Sequence, residues 1–161
     1  MTEPLAVEMA EETETFASLY ASHYDQLVRL ASLLTSSSMV AEDIVQEAFA
    51  KLHNRFDRID VPQAWLRVAV VNACSNERRR LGTARRLAPR LAHQTVTTQE
   101  PMPELMASLR RLPDRQRAVV VLRFYLDLPE ADIAETLGIR PGTVKSSLHR
   151  ALARLQTEVE R

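Results

Sequence analysis

Cysteine, glycine and aromatic residues are all scarce in this chain. One cysteine, Cys74, among 161 residues excludes an internal disulfide framework or a cysteine-built zinc site, and it points to a reducing compartment, the cytoplasm. Three glycines, 5% aromatics and no sustained Val/Ile/Thr alternation argue against β structure. The longest unbroken apolar run, Ala118 to Leu122, is far shorter than the ~20 residues of a membrane span, so no membrane insertion is expected. The acidic N-terminus does not read as a signal peptide. Glycine-rich phosphate loops and metal-ligand spacings are absent, and His23, His53, His93 and His149 are scattered. No catalytic residue, metal or cofactor is therefore expected, and an enzyme such as a recombinase is disfavoured.

What is present is apolar residues at 45% and charge that cancels overall but not locally. Residues 1–14 hold five glutamates and no base, whereas residues 78–90 hold six arginines and no acid. A net charge of zero can thus hide an electropositive surface. Apolar residues recur at helical spacing almost throughout, so the fold class is all-α. Phe16, Leu19, Tyr20, Leu27, Leu30, Ala31 and Leu34 mark a helix over about 14–34, and the serines at 36–38 break it and offer a cap to the next. A second helix over 39–53 turns Val40, Ile44, Ala48 and Leu52 inward and Glu42, Asp43, Gln46 and Glu47 outward. Pro62 suits the first turn of a third, long helix, expected to end near Gly82. The pattern then decays to Pro103, which reads as a flexible linker. Shorter helices follow over 104–112, 114–126, 129–137 and 141–159. The expected domains are residues 14–81 and 104–161, joined by a linker at 82–103.

The stretch "AETLGIRPGTVKSSLHRAL" carries the clearest local chemistry. Gly138 supplies the left-handed residue that ends a helix, and Pro141 presets the first turn of the next. Ala134, Gly138 and Val144 stand at helix-turn-helix spacing, in which the second helix lies in the DNA major groove. Lys145, Ser146, His149 and Arg150 are expected on its outer face, and Val144, Leu148, Leu152 and Leu155 beneath it.

These residues resemble a known family. "LRRLPDRQRAVVVLRFYLDLPEADIAETLGIRPGTVKSSLHRALARL" is similar to region four of sigma-70-type transcription initiation factors. "AEDIVQEAFAKL" resembles their polymerase-binding helix in region two, and "AWLRVAVVNACSNERRR" resembles the helix that opens and reads the −10 element. The lack of intervening domains resembles the compact extracytoplasmic-function group, group IV, of actinobacterial type. That resemblance implies a sigma factor whose partners are core RNA polymerase, through its clamp helices and flap, promoter DNA, and an anti-sigma factor. It implies polymerase contacts from Asp43, Gln46, Glu47 and Phe49. It implies −35 contacts from Arg140, Thr143, Lys145, Ser146, Ser147, His149 and Arg150. For −10 recognition and melting it implies Arg67, Asn72, Asn76, Arg79 and Arg80. Asparagine suits that work because its amide both donates to and accepts from an extruded base. Trp65, at helical spacing with Val68 and Ala69, reads as a core anchor rather than a stacking platform.

Two other readings remain at this point. A helix-turn-helix regulator acting without polymerase accounts for residues 129–155 but leaves "AEDIVQEAF" and "NACSNERRR" without a task. An interaction adaptor predicts no DNA binding at all.

Overall fold

Thr15 and Ser18 start the first helix by capping each other. The backbone N–H of each donates to the other's side-chain hydroxyl at 3.1 Å, which satisfies two amides that a helix start leaves unpaired. In the computed structural model, which describes residues 14–87 and 102–160, this helix, α1, spans Phe16–Thr35. It ends at Ser36, a left-handed residue with φ 62°. Ser37 then caps α2, Ser38–His53, by accepting from the Val40 N–H at 3.3 Å. A short 3-10 turn at Phe56–Arg58 leads to α3, Pro62–Leu87. The remaining elements are α4 (Pro103–Arg111), α5 (Asp114–Phe124), α6 (Glu130–Leu137) and α7 (Pro141–Val159). No strand occurs among the described residues, and no helix among them is long and apolar enough to cross a membrane.

The all-helical expectation holds, with one boundary displaced. Gly82 does not end α3, which continues to Leu87. A glycine inside a helix costs only about 1 kcal/mol relative to alanine, and Thr83 and Ala84 beyond it continue the helix. Most of the segment read as a flexible linker, residues 88–101, lies outside the described residues.

Helices α1, α2 and α3 pack as a three-helix block around Leu19, Leu27, Leu30, Val45, Phe49, Leu66 and Val70. The face that α2 buries is Ala41, Val45, Ala48, Phe49 and Leu52, while Val40 and Ile44 are only half-buried. The second block, α4 to α7, closes over Leu109, Val119, Leu122, Ile133, Val144 and Ala151. Alpha-helix α6 also packs on α3, and α5 on α1, so the buried apolar residues of the two blocks form one continuous cluster.

Candidate nucleic-acid and polymerase surfaces

Gly138 takes φ 63°, and its N–H closes the end of α6 on the carbonyls of Ala134 and Glu135. Ile139 donates to Ala134 at 3.0 Å, completing the turn. Pro141 is the first residue of α7, as its fixed φ favours. The α6–α7 pair is therefore a helix-turn-helix built by the residues that the spacing singled out. Val144 is fully buried under it. Lys145, Ser146, His149 and Arg150 are exposed together on the outer face of α7. Lys145 is held loosely toward Glu130 at 3.8 Å, and Thr143 is half-buried.

Two residues of α7 lie elsewhere than expected. Ser147 is buried at 7% exposure and faces the core rather than a groove. Leu152, expected inside, is 42% exposed, because the buried stripe runs through Val144, Ser147 and Ala151. That stripe follows i, i+3, i+7 spacing, one phase earlier than the leucines. Arg140 occupies the N-cap of α7 with no side-chain hydrogen bond to the helix. It is exposed beside free N–H groups at the positive end of the helix dipole.

Asp43, Gln46 and Glu47 are all exposed on α2. Glu47 pairs with Lys51 at 2.8 Å, and Gln46 donates to the Tyr24 hydroxyl at 3.4 Å. Phe49 is not part of that exposed face. It is 2% exposed, packed edge-on to Phe16 with ring centres 6.1 Å apart and against Tyr20 at 4.8 Å. Beside it, Phe16, Tyr20, Gln46, Ala50 and His53 line an open groove that the sequence reading missed. Its signal was available as aromatic residues at 16, 20 and 24, four apart on one helix face.

The residues expected at the −10 element lie on α3. Asn72 and Asn76 are exposed one turn apart, with Arg79 and Arg80 exposed beyond them. Arg80 donates to Glu77 at 2.7 and 3.0 Å, and that bond holds the Glu77 carboxyl below its usual range. Trp65 is half-buried with the Arg55 guanidinium 5.9 Å above its ring. Arg67 is not free on this face: its Nε donates to Thr136 Oγ1 of α6 at 3.1 Å. Cys74 is sealed beneath α3, and burial pushes its thiol up to about 12. No group of His, Cys, Asp and Glu able to hold a metal occurs among the described residues.

Comparison with known proteins covers both blocks. The family model for sigma-70 region 2 matches residues 19–93, and that for sigma-70 region 4 matches residues 103–155. The chain is 36% identical to the ECF RNA polymerase sigma factor SigM of Mycobacterium tuberculosis, over 95% of this chain and 81% of that protein. It is 33% identical to the RNA polymerase sigma-E factor of Streptomyces coelicolor, over 92% of this chain and 88% of that one. Among solved structures, the sigma factor RpoE of Bartonella quintana, crystallised with the anti-sigma factor NepR, shares the fold with a TM-score of 0.75. That likeness holds at 23% identity and spans 90% of this chain and 96% of that one.

Proposed function

The chain belongs to the sigma-70 family, in its extracytoplasmic-function branch, and from that membership we propose how its residues divide the work of a sigma factor. It binds core RNA polymerase and directs it to promoter DNA. A regulator that acts without polymerase does not account for a family match reaching across both helical blocks.

Residues 14–81 act as the polymerase-binding and −10-reading domain, residues 82–103 as the linker, and residues 104–161 as the −35-reading domain. Asp43, Gln46 and Glu47 form the polymerase contact, because an acidic and amide face fits a basic helical partner. Phe49 supports that face from beneath, and the groove beside it extends the contact. Asn72 and Asn76 read the extruded base, and Arg79 and Arg80 hold the strand through its phosphates. Lys145, Ser146, His149 and Arg150 meet base edges and phosphates of the −35 element, with Thr143 at the margin and Arg140 on a phosphate. Ser147 positions the helix from its buried side. Sigma factors are non-enzymatic initiation factors, and we read this one as cytoplasmic and subject to an anti-sigma factor.

The observation that carries this division is the exposed cationic face of α7 in the same chain as the exposed acidic face of α2. Run-off transcription on a genomic promoter library, with purified core polymerase and with or without the chain, tests it. Discrete transcripts that depend on the chain are expected. Identical transcript patterns with and without it would overturn the reading.

A further inference from the structure

We propose that the DNA-contact face of α3 extends past Arg79 to Arg86, and that Arg86 binds a backbone phosphate of the paired DNA upstream of the −10 element. The proposal rests on the division of work given above and adds a residue to it. It starts from the helix end. The sequence reading ends α3 near Gly82, yet the helix runs on to Leu87. Residues 81–87 are exposed at every position, so this stretch of about two turns buries little against either block. A side chain added at Gly82 would meet nothing within 4 Å. Packing of the core does not account for this overhang.

The phase of the helix gives the direction of its side chains. At about 100° per residue, Asn76, Arg79, Thr83 and Arg86 all fall within about 40° of Asn72. All five are exposed. They form one stripe, opposite the face on which Leu66, Val70 and Cys74 are buried. The other cations of α3 are placed or engaged elsewhere. Arg67 donates to Thr136, Arg78 pairs with Asp114 at 2.6 Å, and Arg80 donates to Glu77. Arg85 lies about 140° around the helix from Asn72. Glu77, the only acid of α3, is also off the stripe. Thr83 turns its hydroxyl back to the Arg79 carbonyl at 3.1 Å. What projects from the overhang on this face is therefore Arg79 and Arg86, with no carboxylate beside them.

The order of groups along the stripe matches a change in the DNA. Amides at its start suit bases, which both donate and accept. Guanidiniums at its end suit phosphates, which only accept. From Asn72 to Arg86 the helix rises about 21 Å at 1.5 Å per residue. At 3.4 Å per nucleotide step that is about six nucleotides. The chain beyond α3 leads to the block assigned to the −35 element, so the C-terminal end of α3 faces upstream. Groove reading by α7 needs paired DNA on that side. Arg86 meets the strand where it is paired again. A phosphate contact there positions the strand without choosing its sequence, and holds the upstream edge of the opened segment in register with Asn72.

Three variants test the contact. Arg86→Gln removes the charge, Arg86→Lys keeps it, and Arg85→Gln removes the same charge from another face. Both positions are exposed, so all three proteins are expected to fold. Binding is measured for core polymerase carrying each chain, on a promoter recovered by run-off transcription and opened at the −10 element by mismatches. Arg86→Gln is expected to flatten the log–log salt slope by about 0.9 against wild type, so its deficit is about threefold larger at about 50 mM than at about 200 mM salt. Arg86→Lys and Arg85→Gln are expected to keep the wild-type slope. A second template ends at the upstream edge of the −10 element, with no paired DNA beyond it. On that template Arg86→Gln and wild type are expected to match. An unchanged slope for Arg86→Gln, or an equal flattening by Arg85→Gln, would overturn the proposal. So would a flattening that persists on the shortened template, which would put Arg86 on the unpaired strand. A chain that adds no promoter binding to core polymerase would sink the functional reading and this contact with it. A chain-dependent complex indifferent to Arg86 would sink the contact alone.

Discussion

Arg117 Nη1 donates to the carbonyl oxygen of Leu34 at 3.1 Å, joining α5 to the end of α1. Burial lowers the affinity of this guanidinium for its proton to about 10, with Arg78 adding repulsion and Asp114 opposing it. It stays charged at neutral pH and is held by carbonyls and a hydroxyl rather than by a buried carboxylate. Removing it takes charge-assisted hydrogen bonds from the Leu34 and Leu109 carbonyls, which keep Arg78 and the Leu112 N–H as donors, and relieves part of the cost of burying a cation. Arg117→Met is therefore expected to lower stability by about 1–3 kcal/mol in urea unfolding. Arg117→Lys recovers only part, because an ammonium lacks the fork that spans three acceptors. A loss under about 1 kcal/mol for the Met variant would show that the remaining donors suffice for those carbonyls.

Asn72 is exposed on α3, so Asn72→Ala is expected to leave folding within about 0.5 kcal/mol of wild type. Polymerase binding is expected to persist and open-complex formation to fall. Permanganate footprinting of the −10 region reads that step. Wild-type reactivity of the unpaired thymines would remove Asn72 from the reading of bases.

Arg140 caps α7 without a side-chain hydrogen bond and brings a positive charge to the positive end of the helix. Arg140→Ser is expected to raise stability by about 0.5–1 kcal/mol through ordinary capping. It is also expected to weaken duplex binding alike for all sequences and to flatten the log–log salt slope by about 0.9, the value for one lost phosphate contact. Thermal melts and a salt titration of DNA binding measure the two effects. A stabilised variant with an unchanged slope would mean that Arg140 is only a poor cap.

Cys74 keeps its proton up to about 12 in the folded chain, against an ordinary value of 9.0, chiefly because burial disfavours the thiolate. Above pH 9 the unfolded chain releases that proton while the folded chain holds it, so stability falls as pH rises through this window. Wild type is expected to lose stability relative to Cys74→Ala between pH 9 and 12. Taking the difference between the two proteins cancels the opposite contribution of Arg117, whose lowered value makes stability rise above about pH 10. A constant difference across that window would contradict the buried thiol. At pH 8 the wild-type thiol is expected to resist disulfide reagents until the chain unfolds.

Features decided within a few residues were legible in the sequence. Gly138 and Pro141 define the helix-turn-helix by their own backbone preferences, and Ser37 caps α2 because a short hydroxyl side chain does so locally. Features decided by tertiary packing were not. The resemblance implies a polymerase contact from Phe49, yet the aromatic residues of α1 enclose it. Ser147 and Leu152 exchange the expected places because burial in α7 is set by the angle at which α5 and α6 meet it, and a single helix repeat does not encode that angle. Gly82 carries the chemistry of a helix end, yet the helix continues through it. Arg117 gave no sign of its role, since its partners lie 8 and 83 residues away.

The most direct measurement is equilibrium binding of the fluorescently labelled full chain to purified core RNA polymerase, for wild type and for the double variant Asp43→Arg, Glu47→Arg. Both residues are exposed and bury no apolar group, so the double variant is expected to fold. The account predicts a nanomolar complex for wild type and a loss of at least about tenfold, or 1.4 kcal/mol, for the variant. No complex at micromolar polymerase, or equal affinity for the two proteins, would contradict it.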